Sequence, residues 1–205
     1  MAARDIRALP KLEGTVHVNL ALVAKFIFNY FFNPKAYPSV SCQNQSQHDA
    51  FLFQQGPTRG LGDIQFHDYN DIFVQFQLPN VKIFYEQIGI FKEFLAQATP
   101  DAEQQQDTDF SMAIAELFAI IVYGQLVLEN AQLNEIDNPT IDQIFDFMVR
   151  DFSKYALLLY SKTSTKPQQI EYCTRMIRKP EVDLDRYKHV WTQVYALKNL
   201  YEMKS

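Results

Sequence analysis

At 205 residues, the chain is long enough for one domain with a substantial core. Its 47% hydrophobic and 14% aromatic content, with 17 Phe and 11 Tyr, excludes disorder for most of its length. The 6 Gly are too few for a turn-rich all-β fold, and the formal net charge of −5 argues against a nucleic-acid ligand, which needs clustered Lys and Arg.

The twelve positions from Arg4 to Thr15 form the one stretch whose spacing suggests chemistry. After them, Val16–Phe32 is an apolar run broken by His17, Asn19, Lys25 and Asn29 and stopped by Pro34. That is too short and too polar for a membrane span, which needs about 20 mostly apolar residues. It predicts one helix from Thr15, a plausible N-cap, to Asn33. Its apolar positions surround the axis, so the rest of the chain or another polypeptide must cover it.

Residues 34–67 lose periodicity. Pro34, Pro38, Pro57 and the segment Gly56-Pro57-Thr58-Arg59-Gly60-Leu61-Gly62 punctuate a surface-wrapping excursion, with Phe51, Phe53 and Phe66 as aromatic anchors. The glycine-rich segment matches neither phosphate-binding pattern and reads as a series of turns. The His67-Asp68 pair reads as a helix cap.

Tyr69–Gln77 fits a short helix or an extended piece equally. Pro79 then opens a helix to about Ala98, with Val81, Phe84, Ile88 and Phe91 on one stripe. Thr99–Thr108 reads as a polar connector. Further helices follow at Phe110–Leu133, Ile141–Tyr160, Pro167–Lys179 and from Asp183 or Asp185 to Met203. Arg175, Arg178 and Lys179 suit a helix C-terminus, and the stripe of Tyr187, Trp191 and Tyr195 reads as core or interface. The fold class is therefore all-α: an up-down bundle, 68–205, preceded by the first core helix, 1–33, and the irregular segment, 34–67. No βαβ alternation builds a dinucleotide site.

Two cysteines, Cys42 and Cys173, supply neither a disulfide framework nor a zinc set. They suit a reducing, cytoplasmic compartment. His17, His48 and His189 lack partners at ligand spacing, so no metal site is expected.

The opening string is Arg4-Asp5-Ile6-Arg7-Ala8-Leu9-Pro10-Lys11-Leu12-Glu13-Gly14-Thr15, with Glu13 nine positions after Arg4. It resembles the C-terminal catalytic motif of the flavin-dependent acyl-CoA dehydrogenases: an Arg-Asp pair, a short hydrophobic loop, then Glu-Gly-Thr entering an apolar helix. The direct match covers about the first twenty residues.

The resemblance implies an all-α C-terminal region with Glu13 as catalytic base, removing the proton next to the thioester carbonyl of an acyl-CoA substrate. Gly14 and Thr15 would approach the FAD cofactor, and Arg4 and Asp5 would hold the loop. It also implies an electron-transfer acceptor as partner and a homo-oligomer or missing domains around the site. The flavin-binding portions would lie outside this chain, so Met1 standing just before the motif suggests a split or truncated frame. After Thr15 the sequence departs from the family: Val16-His17-Val18-Asn19-Leu20 stands where small or polar residues and an Arg are common. The competing reading is a non-catalytic helical module for dimerisation or protein interaction, lacking the flavin-binding half. A lipid-associated helical protein is a third, suggested by the aromatic residues around Phe26–Phe32.

Overall fold

The computed structural model describes residues 15–35 and 64–200, and every regular element among them is helical. In chain order these are α1 (Val16–Ala24), α2 (Ile27–Phe32), α3 (Asn70–Phe73), α4 (Pro79–Gln97), α5 (Ala102–Gln106), α6 (Thr108–Leu133), α7 (Asn138–Tyr160), α8 (Pro167–Met176) and α9 (Leu184–Ala196). A 3₁₀ turn, Lys198–Leu200, follows.

Helix α7 is central, packing against α4, α6, α8 and α9. The stripe expected on α4 is the one buried: Val81, Phe84, Ile88 and Phe91 are fully inaccessible. Ile141, Phe145, Val149 and Phe152 of α7 form the opposing face. Phe84 meets Phe145 edge-on with ring centroids 5.3 Å apart and Phe152 at 5.6 Å. Edge-to-face pairs add about 0.5–1.5 kcal/mol each beyond area burial. Gly124 lets α6 approach this cluster, because a Cβ there would lie 2.8 Å from the Phe84 ring.

Several boundaries differ from the expected ones, each for a local reason. The single helix expected over 15–33 is two helices. Between them, Lys25 N–H bonds Leu22 O and Phe26 N–H bonds Val23 O, a 3₁₀-like tightening that redirects the chain. This lets Tyr30 and Phe31 of α2 bury fully while α1 buries nothing. Tyr30 stacks on Tyr69 and donates its hydroxyl to Gln125 Oε1 at 2.6 Å.

The polar connector contains α5, closed by an Asp101–Gln104 capping box. Gln104 is then buried in a reciprocal amide pair with Gln169 of α8, at 2.7 and 3.0 Å. Helix α7 starts three residues before Ile141, because Asp137 caps it and Pro139 fits its first turn. Helix α8 stops at Met176 rather than Lys179, since Ile177 is extended. Helix α9 ends at Ala196, short of the expected Met203, with Leu197 as its C-cap.

Four aspartates, Asp101, Asp107, Asp137 and Asp183, cap α5, α6, α7 and α9 by accepting backbone N–H groups. Such caps contribute about 1 kcal/mol each. Between α6 and α7, Glu135 takes a positive φ of 51°, and Ile136 N–H returns to Ala131 O at 3.0 Å. This is a Schellman closure with a non-glycine residue at its left-handed position.

The two ends of the irregular excursion are tied to each other, Lys35 N–H donating to Phe66 O, and the Asn29 side chain of α2 donates to Ile64 O. Phe66 packs edge-on against Phe26 and Tyr30, as an anchor should. Phe51, Phe53 and the Gly56–Gly62 segment lie outside the described residues.

Helix α6 is long and apolar enough to cross a membrane, but half of that window is buried inside the bundle. Phe110, Leu117, Phe118, Ile121 and Leu128 account for its inward side, so it is read as the core helix of this fold.

Candidate functional site

Of the residues singled out in the opening string, Thr15 falls within the described structure and Glu13, Gly14, Arg4 and Asp5 lie outside it. Thr15 is exposed and caps α1: its hydroxyl oxygen accepts from Val18 N–H at 3.4 Å and its carbonyl from Asn19 N–H at 3.1 Å. The hydroxyl proton is not used by that cap. The string therefore leads straight into a helix, as expected.

Helix α1 lies on α6. Val16 and Leu20 of α1, with Ile120 and Tyr123 of α6 and Tyr155 of α7, bound an open trough of about 320 Å³. Two carboxylates line it as well, Glu116 and Asp151. Glu116 Oε2 is buried without a hydrogen-bond partner among the described residues. Such an oxygen favours a ligand group that donates a hydrogen bond or carries positive charge. Sequence reasoning passed over Glu116, although it is the sole charged residue between Phe110 and Leu128. An isolated acid in an apolar helix is a usable signal, because burial there has to be compensated.

A second trough of about 330 Å³ shares Tyr123 as a wall and is otherwise lined mainly by Leu126, Val127, Ile136, Ile141 and Ile144. Its apolar character follows from the α6–α7 connection: the Schellman turn places Ile136 beside Ala131 at the trough's edge.

Several of the remaining sequence candidates have structural partners. Asp68 Oδ1 accepts from Asn70 N–H at 3.0 Å, an Asx turn one residue before the N-cap Tyr69 of α3. Arg175 and Arg178 pair with Glu93 and Glu86 of α4 at 3.0 and 2.8 Å. His189 Nε2 lies 3.2 Å from Asp137 Oδ2. His17 is exposed on α1, and His48 lies outside the described residues. Among the described residues, no three His, Cys, Asp or Glu side chains cluster in a way that could hold a metal ion. Cys173 is fully buried, and burial pushes its thiol up to about 12, which suppresses the nucleophilic thiolate.

A buried polar cluster joins α9 to α7. The Arg186 guanidinium pairs with Asp142 Oδ2, donates to Gln143 Oε1 at 3.2 Å and reaches Asp146 Oδ2 at 3.4 Å. Asp146 Oδ1 faces Arg150 at 2.7 Å as an ion pair out of line for a hydrogen bond. Asn80 closes the cluster, its backbone N–H donating to Asp142 Oδ1 at 2.8 Å and its side-chain carbonyl accepting from Glu181 N–H at 2.7 Å. With each group engaged, this is a fastening between helices and offers no reactive atom.

Compared with family models, curated proteins and solved structures, the chain matches none.

Proposed function

We propose that this chain is the helical C-terminal part of an acyl-CoA dehydrogenase-like flavoenzyme, which α,β-dehydrogenates an acyl-CoA thioester. The observation that carries the reading is the junction at Thr15. The Arg-Asp…Glu-Gly-Thr string ends on a residue that caps a helix, and that helix is apolar yet contains no buried residue. Val16, Val18 and Leu22 of α1 are each about half exposed or more, so the string opens onto a face that further protein would cover.

Within this reading, Glu13 holds the proton taken from the carbon next to the thioester carbonyl. Exclusion of water by a bound acyl chain would raise its pKa toward working pH, as a general base requires. Gly14 permits close backbone approach. The unused hydroxyl proton of Thr15 suits a hydrogen bond to the FAD cofactor, which when bound supplies the hydride acceptor. The remaining walls of the site, the electron-transfer acceptor's docking face and the flavin-binding portions would come from protein outside this chain.

The experiment is to produce these 205 residues together with the polypeptide encoded immediately upstream and assay dehydrogenation of acyl-CoA. The reading expects a flavin-loaded assembly whose activity falls at least ~100-fold in Glu13→Gln while flavin is retained. Undiminished activity in Glu13→Gln would remove Glu13 as the base, and an upstream frame without a flavin-binding protein would remove the enzyme reading.

A second reading, a non-catalytic interaction module, is favoured by the two troughs along α6 and α7. They are walled mostly by aliphatic and aromatic side chains, and the neighbouring Leu126, Leu133 and Phe147 are more than half exposed. An amphipathic helix laid into an apolar groove is a common recognition mode.

A further inference from the structure

Helix α9 is built inside out. The residues facing α7 are polar: Arg186 is buried among Asp142, Asp146 and Gln143, while His189 and Gln193 both contact Asp137. Half-buried Val190 is the exception. The side turned away carries Leu184, Tyr187, Trp191, Val194 and Tyr195, between 48% and 67% exposed. Leu184, Tyr187, Trp191 and Val194 have the spacing of the a and d positions of a heptad seam, Tyr195 lies beside it, and Lys198 follows in the 3₁₀ turn beyond the helix. Tyr187, Trp191 and Tyr195 stack in series, with centroid separations of 6.5 and 6.4 Å. A surface helix normally does the reverse.

We infer that this outward stripe of α9 is an interface with a second copy of the same chain, the two helices running antiparallel about a two-fold axis at Trp191. Charge selects the occupant and its direction. The N-terminal end of the stripe carries Asp183 and Asp185, with Lys188 3.5 Å from Asp185 in an exposed pair, and its C-terminal end carries Lys198. Antiparallel pairing sets each acidic end against the basic end of the other copy, whereas parallel pairing would set like against like. Trp191 lies midway between Leu184 and Lys198, so an axis through it places both ends in register. Such an isologous contact is self-complementary and closes at two copies.

The area is sufficient. The exposed parts of these side chains, with Val182 and Leu197 beside them, amount to roughly 600 Å² per copy, toward the low end of specific interfaces. This inference is independent of the flavoenzyme reading, since the stripe includes none of the residues assigned to that site.

Sedimentation of the full chain is the test, with Trp191, the single tryptophan, as an internal reporter. The expected result is a dimer at ~100 µM, a concentration that weak specific interfaces of this size reach. Trp191 emission should move to the blue as the dimer forms. Trp191→Glu and Tyr187→Glu, both on the outward face, should weaken association at least ~30-fold with unchanged circular dichroism.

In a Cys42→Ser background, Trp191→Cys should form a disulfide between copies when a mild oxidant such as copper phenanthroline is added. Leu184→Cys mixed with Lys198→Cys should cross-link to each other more than either does to itself. A monomeric wild-type chain, a dimer indifferent to Trp191→Glu, or preferential 184–184 cross-linking would overturn the inference.

Discussion

Helices α4 and α9 carry the same kind of sequence pattern and use it in opposite directions. Helix α4 turns Val81, Phe84, Ile88 and Phe91 into the core and leaves Lys82 and Glu86 outside. Helix α9 turns Arg186 inward and leaves Leu184, Tyr187 and Trp191 outside. The difference lies in the surface each meets. Across from α4 stand Phe145 and Phe152, which accept apolar side chains. Across from α9, α7 presents Asp137, Asp142 and Asp146, which only a cationic and polar face can satisfy. Amphipathicity states which residues share a face; the neighbouring helix decides which face is buried.

The strongest way to break this comparison is to truncate one aromatic side chain on each helix. Phe84→Ala removes a fully buried ring and should cost about 3–5 kcal/mol in urea unfolding, through lost transfer energy and a cavity. Trp191→Ala should change the stability of the dilute monomer by no more than ~0.5 kcal/mol. Equal losses would mean that the outward stripe is packed within its own chain.

Next comes the fastening itself. Arg186→Ala leaves Asp142 buried without its cation and should cost about 3 kcal/mol, with α9 amides losing hydrogen-exchange protection first. Arg186→Met combined with Asp142→Asn should recover part of that loss, because no isolated buried charge then remains. A single Arg186→Ala substitution that left exchange in α9 unchanged would show that Val190 and the other contacts hold the helix.

The smallest effect is the acid limb. Hydrogen bonds from Thr140, together with those from Gln193 and His189, hold the Asp137 carboxyl down at about 2, below the usual 3.8. A carboxyl depressed on folding contributes stability that is present above about pH 4 and is lost as pH falls toward 2. The caps Asp101, Asp107 and Asp183 are shifted in the same direction, chiefly by hydrogen bonds from Gln104, Ser164 and Arg186 respectively. Asp137→Asn should flatten the fall in urea midpoint between about pH 4 and pH 2 and lower the neutral-pH stability by roughly 1 kcal/mol. An unchanged acid limb would place that pH dependence elsewhere.

The helical pattern of α4, α6 and α7 was legible because each carries enough apolar residues at helical spacing to outweigh local punctuation. The boundaries were less so. The helix expected from Ile141 begins before Pro139, because a proline in the first turn forfeits no intrahelical hydrogen bond and Asp137 supplies the cap. Thr99–Thr108 read as a polar connector, yet Gln104 within it is buried because Gln169 and the Ser164 carbonyl satisfy its amide. That pairing spans more than sixty residues of chain, beyond any local window. For the candidate site, the sequence drew attention to Glu13, Gly14 and Thr15, while the trough around Glu116 emerged only when α1, α6 and α7 came together.

By itself, then, the sequence determined the all-helical class of the described residues, most of their apolar stripes, and a short string that resembles a catalytic loop. Those features depend on residue spacing and backbone preference within one or two helical turns. Tertiary structure alone decided that the long first helix divides so that Tyr30 and Phe31 can bury, that Glu116 lies in a trough, and that α9 shows its aromatic side to solvent. Each of these depends on what a distant segment offers at the point of contact, an aromatic cluster, an apolar wall or an acidic face, and such an offer exists only after the helices have packed.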